Sequence, residues 1–184
     1  MAFAEESGIP ELKKTTRDEP DYDKLMKWRL GVLKEHGLGL KEIQETIEKI
    51  QPLPGAKEFL DELRSFSQVI LISDTFAEFA SPLMEKLGRP TLFCNSLEVA
   101  ENGEITGYKM RVEQTKLTTV KALQSIGYDT IASGDSYNDL GMIQASKAGF
   151  LFRSTDKIKA DYPQISAYET YDELLGAIRK AMAD

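Results

Sequence analysis

From residue 54 to the C-terminus, helical periodicity alternates with short β-branched or aromatic runs, an order that few folds satisfy. The helix-type stretch "GAKEFLDELRSF" leads into the buried-strand signal "QVILIS", read as a strand over 68–73, and a second helix is expected at about 76–87. "TLFCNSLEVAENGEITGYKMR" reads as a β-hairpin at about 91–111 turning on Asn102-Gly103, a dipeptide that favours tight turns. The alternation then resumes with "TKLTTVKALQSIG" as helix and "DTIAS" as a strand over 129–133. A helix after Asn138, the short strand "GFLF" and the amphipathic helix "YDELLGAIRKAMA" complete it. This order predicts an α/β fold in three layers, a parallel sheet with helices on both faces.

Residues 1–51 contain no convincing strand and read as helices joined by turns. "DYDKLMKWRLGVLKEHG" spaces Leu25, Trp28, Leu30 and Leu33 close to helical periodicity, with Gly37 as its stop, and "GLKEIQETIEKI" continues with Leu40, Ile43, Ile47 and Ile50. The cluster "QPLPG" breaks this pattern. It divides a helical segment at 1–51 from an α/β core at 52–184.

Composition narrows the functional classes. The net charge of -7 argues against a nucleic-acid surface, which needs clustered Lys and Arg that this chain does not show. An anionic small substrate would need locally placed cations or a metal to offset the acidic field. The longest aliphatic run, Val69 to Ile72, is far too short to cross a bilayer. A single cysteine, Cys94, excludes an internal disulfide, and "MAFAEESGIPELKK" has neither the basic start nor the apolar run of a signal peptide. The expectation is a cytoplasmic protein without membrane or nucleic-acid partners.

In open α/β sheets, ligands bind at the carboxyl ends of the strands. Two strand ends here are polar: "ISDTF", where Ser73, Asp74 and Thr75 follow Val69 to Ile72, and "SGDSYND" after Ile131. Between them, Lys116 stands at a helix start. Asp135, with Asn138 and Asp139 three and four residues later, offers hard oxygen ligands suited to Mg²⁺, but Asp, Ser and Asn are also the usual helix caps. A calcium loop fits poorly, because its third position is Tyr137 and its sixth is Leu140 instead of glycine. Ser73 can bind a phosphoryl oxygen or cap the next helix, Lys116 and Arg29 can be solvated helix charges, and His36 can decorate a helix end. The joint pattern is more specific than its parts. A serine after one strand, a lysine at a helix start and an acid pair after the next strand are phosphate-handling groups in one order.

These residues resemble the haloacid dehalogenase superfamily of phosphotransferases, within its phosphoserine phosphatase branch. "ILISDTF" is similar to the family's second motif, Lys116 in "QTKLTT" to its third and "ASGDSYNDLGM" to its fourth. "AFAEESGIPELKKTTRDEPDYDKLMKWRL" and "NSLEVAENGEITGYKMR" resemble members that combine phosphoserine phosphatase with phosphoserine:homoserine phosphotransferase activity. The resemblance implies a Rossmann-like core under a small helical cap that closes over the site, Mg²⁺ as cofactor, and O-phosphoserine as small-molecule substrate. It makes Asp135 the Mg²⁺ ligand and Lys116 the group that binds phosphoryl oxygens and the nucleophile. Asp139 supports the metal site, Ser73 and the backbone at Asp74 bind phosphate, and Asn138 contacts it. Arg29, on the cap, pairs with the substrate carboxylate, a use suited to the planar guanidinium.

One departure is severe. Family members begin with a strand ending in Asp-x-Asp or Asp-x-Glu, whose first aspartate attacks phosphorus to form an aspartyl-phosphate. That motif is expected about 17 residues before Met1, the length of one strand and its loop. The family places that strand in the middle of the sheet, between those expected at 68–73 and 129–133. Two readings follow: a phosphatase whose 184-residue form is inactive for want of a nucleophile, or a non-catalytic phosphate-binding protein of degenerate phosphatase fold. A receiver-domain reading fails on order, because there the acid pair precedes the Ser/Thr and the Lys.

Overall fold

The structure, a computed structural model, describes residues 8–14, 18–19 and 21–183. Its contacts divide the chain into two compact units, Met1–Leu53 with Asp74–Arg111, and Pro54–Ser73 with Val112–Asp184. The segment Asp74–Arg111 groups with the N-terminal helices.

In the first unit, a 3₁₀ turn at Pro10–Lys13 precedes helix α1, Tyr22–Glu35, and helix α2, Leu40–Lys49. Asp21 caps α1 by accepting the backbone N–H of Lys24 at 3.1 Å. The helix ends where Gly37 turns left-handed at φ 63°. Glu42 secures the start of α2 by accepting the Gly39 N–H at 2.8 Å. The apolar faces of both helices, with Met26, Val32, Leu33 and Ile43, pack on Phe76, Leu97 and Ile105. The last two come from the hairpin formed by β2, Thr91–Val99, and β3, Ile105–Lys109, which turns through Asn102-Gly103 as expected. Gly103 supplies the positive φ of 85° that the turn requires.

Strand β1 differs from its expected bounds. It runs Ile70–Phe76, so Ser73, Asp74 and Thr75 lie within the strand and not beyond its end. The extension has a tertiary cause: β1 joins β2 and β3 in one sheet, and the Asp74 carbonyl accepts the side-chain amide of Asn95 at 3.1 Å. Pairing outweighs the weak strand propensity of Asp74. Helix α4, Ala77–Lys86, follows directly.

In the second unit, helix α3, Ala56–Phe66, and helix α5, Thr115–Ser125, accompany a parallel sheet. Its strands are β4, Ile131–Gly134; β5, Ala148–Phe152; and β6, Ala167–Tyr168, in that order. Ile131 pairs with Ala148 and Gly134 with Leu151, so the two main strands run in step. Side chains alternate across this sheet. Ala132 and Leu151 pack with Val120 of α5, with Leu140 and Ile143 of helix α6, Leu140–Ala145, and with Ile158 of helix α7, Asp156–Asp161. Ile131, Phe150 and Phe152 point the other way, onto Leu63 of α3 and Leu174 and Ile178 of helix α8, Tyr171–Ala183. That is the expected three-layer arrangement. Sequence reading did not anticipate α7 or β6, which are too short to show a periodicity.

Candidate functional site

Strand β4 ends at Gly134, and the chain continues through Asp135 and extended Ser136 into a 3₁₀ turn, Tyr137–Asp139, that opens α6. Asp139 organises this loop. Its Oδ2 accepts the backbone N–H groups of Asp135 and Ser136, each at 3.0 Å, and lies 3.0 Å from the Ser136 hydroxyl. Its Oδ1 accepts from Nζ of Lys116, which reaches in from the start of α5. The pair is withdrawn from water, with side chains 14 % and 4 % exposed for Lys116 and Asp139. Burial pushes the Asp139 carboxyl up, but the Lys116 hydrogen bond and charge, with the Ser136 donors, more than offset it. The net result lies below the ordinary value of 3.8.

Gly134 makes the turn possible. A Cβ there would occupy the space of Cβ and Cγ of Asp139, so a side chain at 134 would push the carboxylate off the loop. Sequence reading named Asp139 and Lys116, and Ser136 as a candidate cap, but not Gly134. The signal was present in "SGDS", where glycine at a strand end marks a close approach.

The loop leaves Asp135 and Asn138 exposed, with the Asn138 amide oxygen hydrogen-bonded to the Ser136 hydroxyl. The 3₁₀ turn that leads into α6 is closed by a capping box of Ser136 and Asp139, and the Asp135 carboxylate projects to solvent. Among the described residues, no group of three or more His, Cys, Asp or Glu could hold a metal. The loop offers one free-standing carboxylate with an amide nearby. That donor set fits Mg²⁺, which is commonly held by one or two carboxylates with water and phosphate oxygens completing its shell, and fits a Zn²⁺ centre badly.

Ser73 is half-buried on β1, in the same unit as Lys116, Asp135, Asn138 and Asp139. Asp74, exposed, and Arg29, half-buried, belong to the first unit. Arg29 is not a plain surface charge. Its Nη2 donates to the Lys14 carbonyl at 2.7 Å, while its Nε is buried with no hydrogen-bond partner. His36 sits at the end of α1 with Nδ1 2.9 Å from the Val32 carbonyl, a helix-end role as anticipated. The Asp-x-Asp stretch beginning at Asp21 is structural: Asp21 caps α1 and Asp23 pairs with Lys27 and the Tyr108 hydroxyl. No helix among the described residues is long and apolar enough to cross a membrane.

A parallel sheet covered on both faces, with a buried Lys–Asp pair beneath the loop at the end of a strand, defines an α/β protein of the class that holds its ligand at the carboxyl ends of its strands. Residues 7–147 match the family described as haloacid dehalogenase-like hydrolase. Phosphoserine phosphatase ThrH of Pseudomonas aeruginosa is 49% identical over 181 residues, 98% of this chain and 88% of that protein. A phosphoserine phosphatase of Pseudomonas syringae pv. tomato is 48% identical over 98% of this chain and 76% of its own length. A substrate-bound phosphoserine phosphatase complex superposes with a TM-score of 0.75 at 26% identity, covering 96% of this chain and 89% of that one. The chain belongs to the haloacid dehalogenase-like hydrolases, in their phosphoserine phosphatase branch.

Proposed function

We propose that this chain carries a Mg²⁺-dependent site for O-phosphoserine, built to pass the phosphoryl group to water or to the hydroxyl of homoserine. The observation that carries the reading is the buried Lys116–Asp139 pair, which fixes the loop presenting Asp135 and Asn138. Asp135 is the residue that would hold Mg²⁺, and the ion when bound supplies positive charge against the phosphoryl oxygens. Lys116 adds a second cation, held in place by Asp139. The Ser73 hydroxyl, the backbone amide at Asp74 and the Asn138 side chain bind the remaining phosphate oxygens. Arg29 takes the amino-acid carboxylate, for which its unpartnered Nε–H is a ready donor. A small phosphorylated amino acid can be drawn to such local cations although the chain as a whole is acidic, and the protein works in the cytoplasm without nucleic-acid or membrane partners.

The nucleophile is a separate matter. Phosphoryl transfer by this family needs an aspartate at the end of a strand, and the acids at Asp21 and Asp23 are engaged at a helix start. On this reading, in which Asp135 holds the metal, no residue is assigned as nucleophile, and the 184-residue polypeptide is expected to bind phosphoserine without turning it over.

Calorimetry and phosphate release test both parts on the same sample. With Mg²⁺, the chain is expected to bind phosphoserine at millimolar ligand, to lose that binding in Asp135→Asn, and to release no phosphate. Supplying a segment with strand and Asp-x-Asp restores release. Absence of heat at millimolar ligand overturns the site assignment, and turnover by the 184-residue chain at the rate of its relatives overturns the missing nucleophile.

A further inference from the structure

Asn95, on β2, is 2 % exposed, and its side chain makes two hydrogen bonds that join distant parts of the chain. Nδ2 donates to the carbonyl of Asp74 at 3.1 Å, and Oδ1 accepts the backbone N–H of Arg111 at 3.0 Å. Only this amide orientation satisfies both partners, since a flipped amide would set donor against donor and acceptor against acceptor. Asp74 and Arg111 are the residues at which the chain enters and leaves the first unit. Each adjoins a phosphate-handling segment: Ser73 immediately precedes Asp74, and Lys116 follows Arg111 by five residues.

The path from Arg111 to Lys116 is itself tied down. The Arg111 guanidinium lies over the Phe93 ring at 5.2 Å, two residues before Asn95 on β2. Beyond it, Thr115 Oγ1 donates to the Val112 carbonyl at 3.0 Å, Thr118 Oγ1 donates to the Glu113 carbonyl at 2.9 Å, and the Gln114 carbonyl accepts the Thr118 N–H at 3.0 Å. These bonds tie residues 112–118, which follow Arg111 directly in the chain, to the first turn of α5. A shift of Asn95 is thus felt on both sides.

We infer that Asn95 is a positioning residue: its buried amide couples the Ser73–Asp74 segment to the segment leading into Lys116, and so holds two phosphate-binding groups in register. It touches neither substrate nor metal and acts through the backbone of Asp74 and Arg111. The phosphate part of this inference rests on the phosphoserine reading above, whereas the coupling itself does not.

The test compares Asn95→Ala with Leu97→Ala, a buried change on the same strand that lowers stability; Leu97 shares an apolar cluster with Phe76, so residue 76 is read apart from 74 and 75. Amide hydrogen exchange on the 184-residue chain is read at residues 74–76 and 111–116. Losing one buried hydrogen bond at each place is expected to speed exchange there about tenfold in N95A. L97A is expected to leave those amides no faster than the rest of its unit. Loosening at one segment only, or the same pattern in L97A, overturns the coupling. Asn95→Asp keeps the volume and the acceptor but lacks the donor to Asp74, so coupling is expected to speed exchange at 111–116 as well as at 74–76, whereas an Arg111 amide that stays fully protected overturns it; this variant carries the test if N95A does not fold. Affinity for inorganic phosphate with Mg²⁺ is measured on the same variants and falls in N95A and N95D but not in L97A. A wild-type chain that binds no phosphate would sink the phosphoserine reading, and the exchange data would still decide the coupling.

Discussion

Asp139 is a carboxylate that burial opposes and its neighbours rescue. Four donors converge on it: two backbone N–H groups, the Ser136 hydroxyl and the Lys116 ammonium. Removing the cation leaves a buried charge with hydrogen bonds but no counter-ion, a change that costs about 3–5 kcal/mol when a buried pair is broken from one side. Lys116→Met is therefore expected to lower urea stability at neutral pH by an amount of that order. The sign with pH follows from the direction of the shift. In the wild type the folded-state carboxyl lies below its ordinary 3.8, so its contribution is full above that value and is lost as the pH falls through the folded value. In K116M the lowering by the lysine is lost, so the carboxyl lies higher than in the wild type and its protonation on acidification relieves the variant. The stability gap between the two proteins is expected to narrow as pH drops toward and below 3.8, measured as urea midpoints across pH. A gap independent of pH would place the cost of K116M elsewhere than on Asp139. The residue types of this site were legible in "GDSYND", but not which of the two aspartates turns inward. Gly134, which a Cβ would close against Asp139, decides that, and it acts through space that a sequence does not display.

Elements were legible where they are long. Helices α3 and α8 carry a clear apolar face, β5 a run of aromatic and aliphatic residues, and the hairpin its Asn-Gly turn. Sequence reasoning fell short where one element depends on another. The extension of β1 to Phe76 depends on β2, which lies downstream, and α7, six residues long, depends on the Thr155 cap and on burial of Ile158 against the sheet. The alternation along β4 and β5 sets a prediction for the sheet as a layer. Leu151, fully buried, fills the face under α5 to α7, whereas Leu174 of α8, 1 % exposed, fills the opposite face. Truncating either to alanine is expected to cost about 2–5 kcal/mol, as cavities in well-packed cores do. Because the two side chains belong to separate clusters on opposite faces, the double variant should lose the sum of the single losses within about 0.5 kcal/mol. A larger departure in denaturant melts would mean that the sheet transmits strain between its layers.

At the scale of the whole chain, the apolar clusters respect the division into compact units. The cluster around Met26, Ile43, Phe76 and Leu97 draws only on the first unit, and the two clusters flanking the parallel sheet draw only on the second. A chain with separately closed cores need not melt in one step, because each core can lose its packing while the other retains its own. Two calorimetric transitions are expected, and single substitutions assign them. Ile43→Ala, at a residue 2 % exposed in the first unit, should lower one transition, and Leu174→Ala should lower the other, each leaving its counterpart in place. Binding adds an independent readout. Mg²⁺, held by Asp135 on the proposed reading, should raise the transition sensitive to L174A and leave the one sensitive to I43A where it is, since a ligand stabilises only the unit whose unfolding releases it. One transition moved equally by both substitutions and by Mg²⁺ would show that the three crossings of the chain fuse the two cores into a single cooperative body.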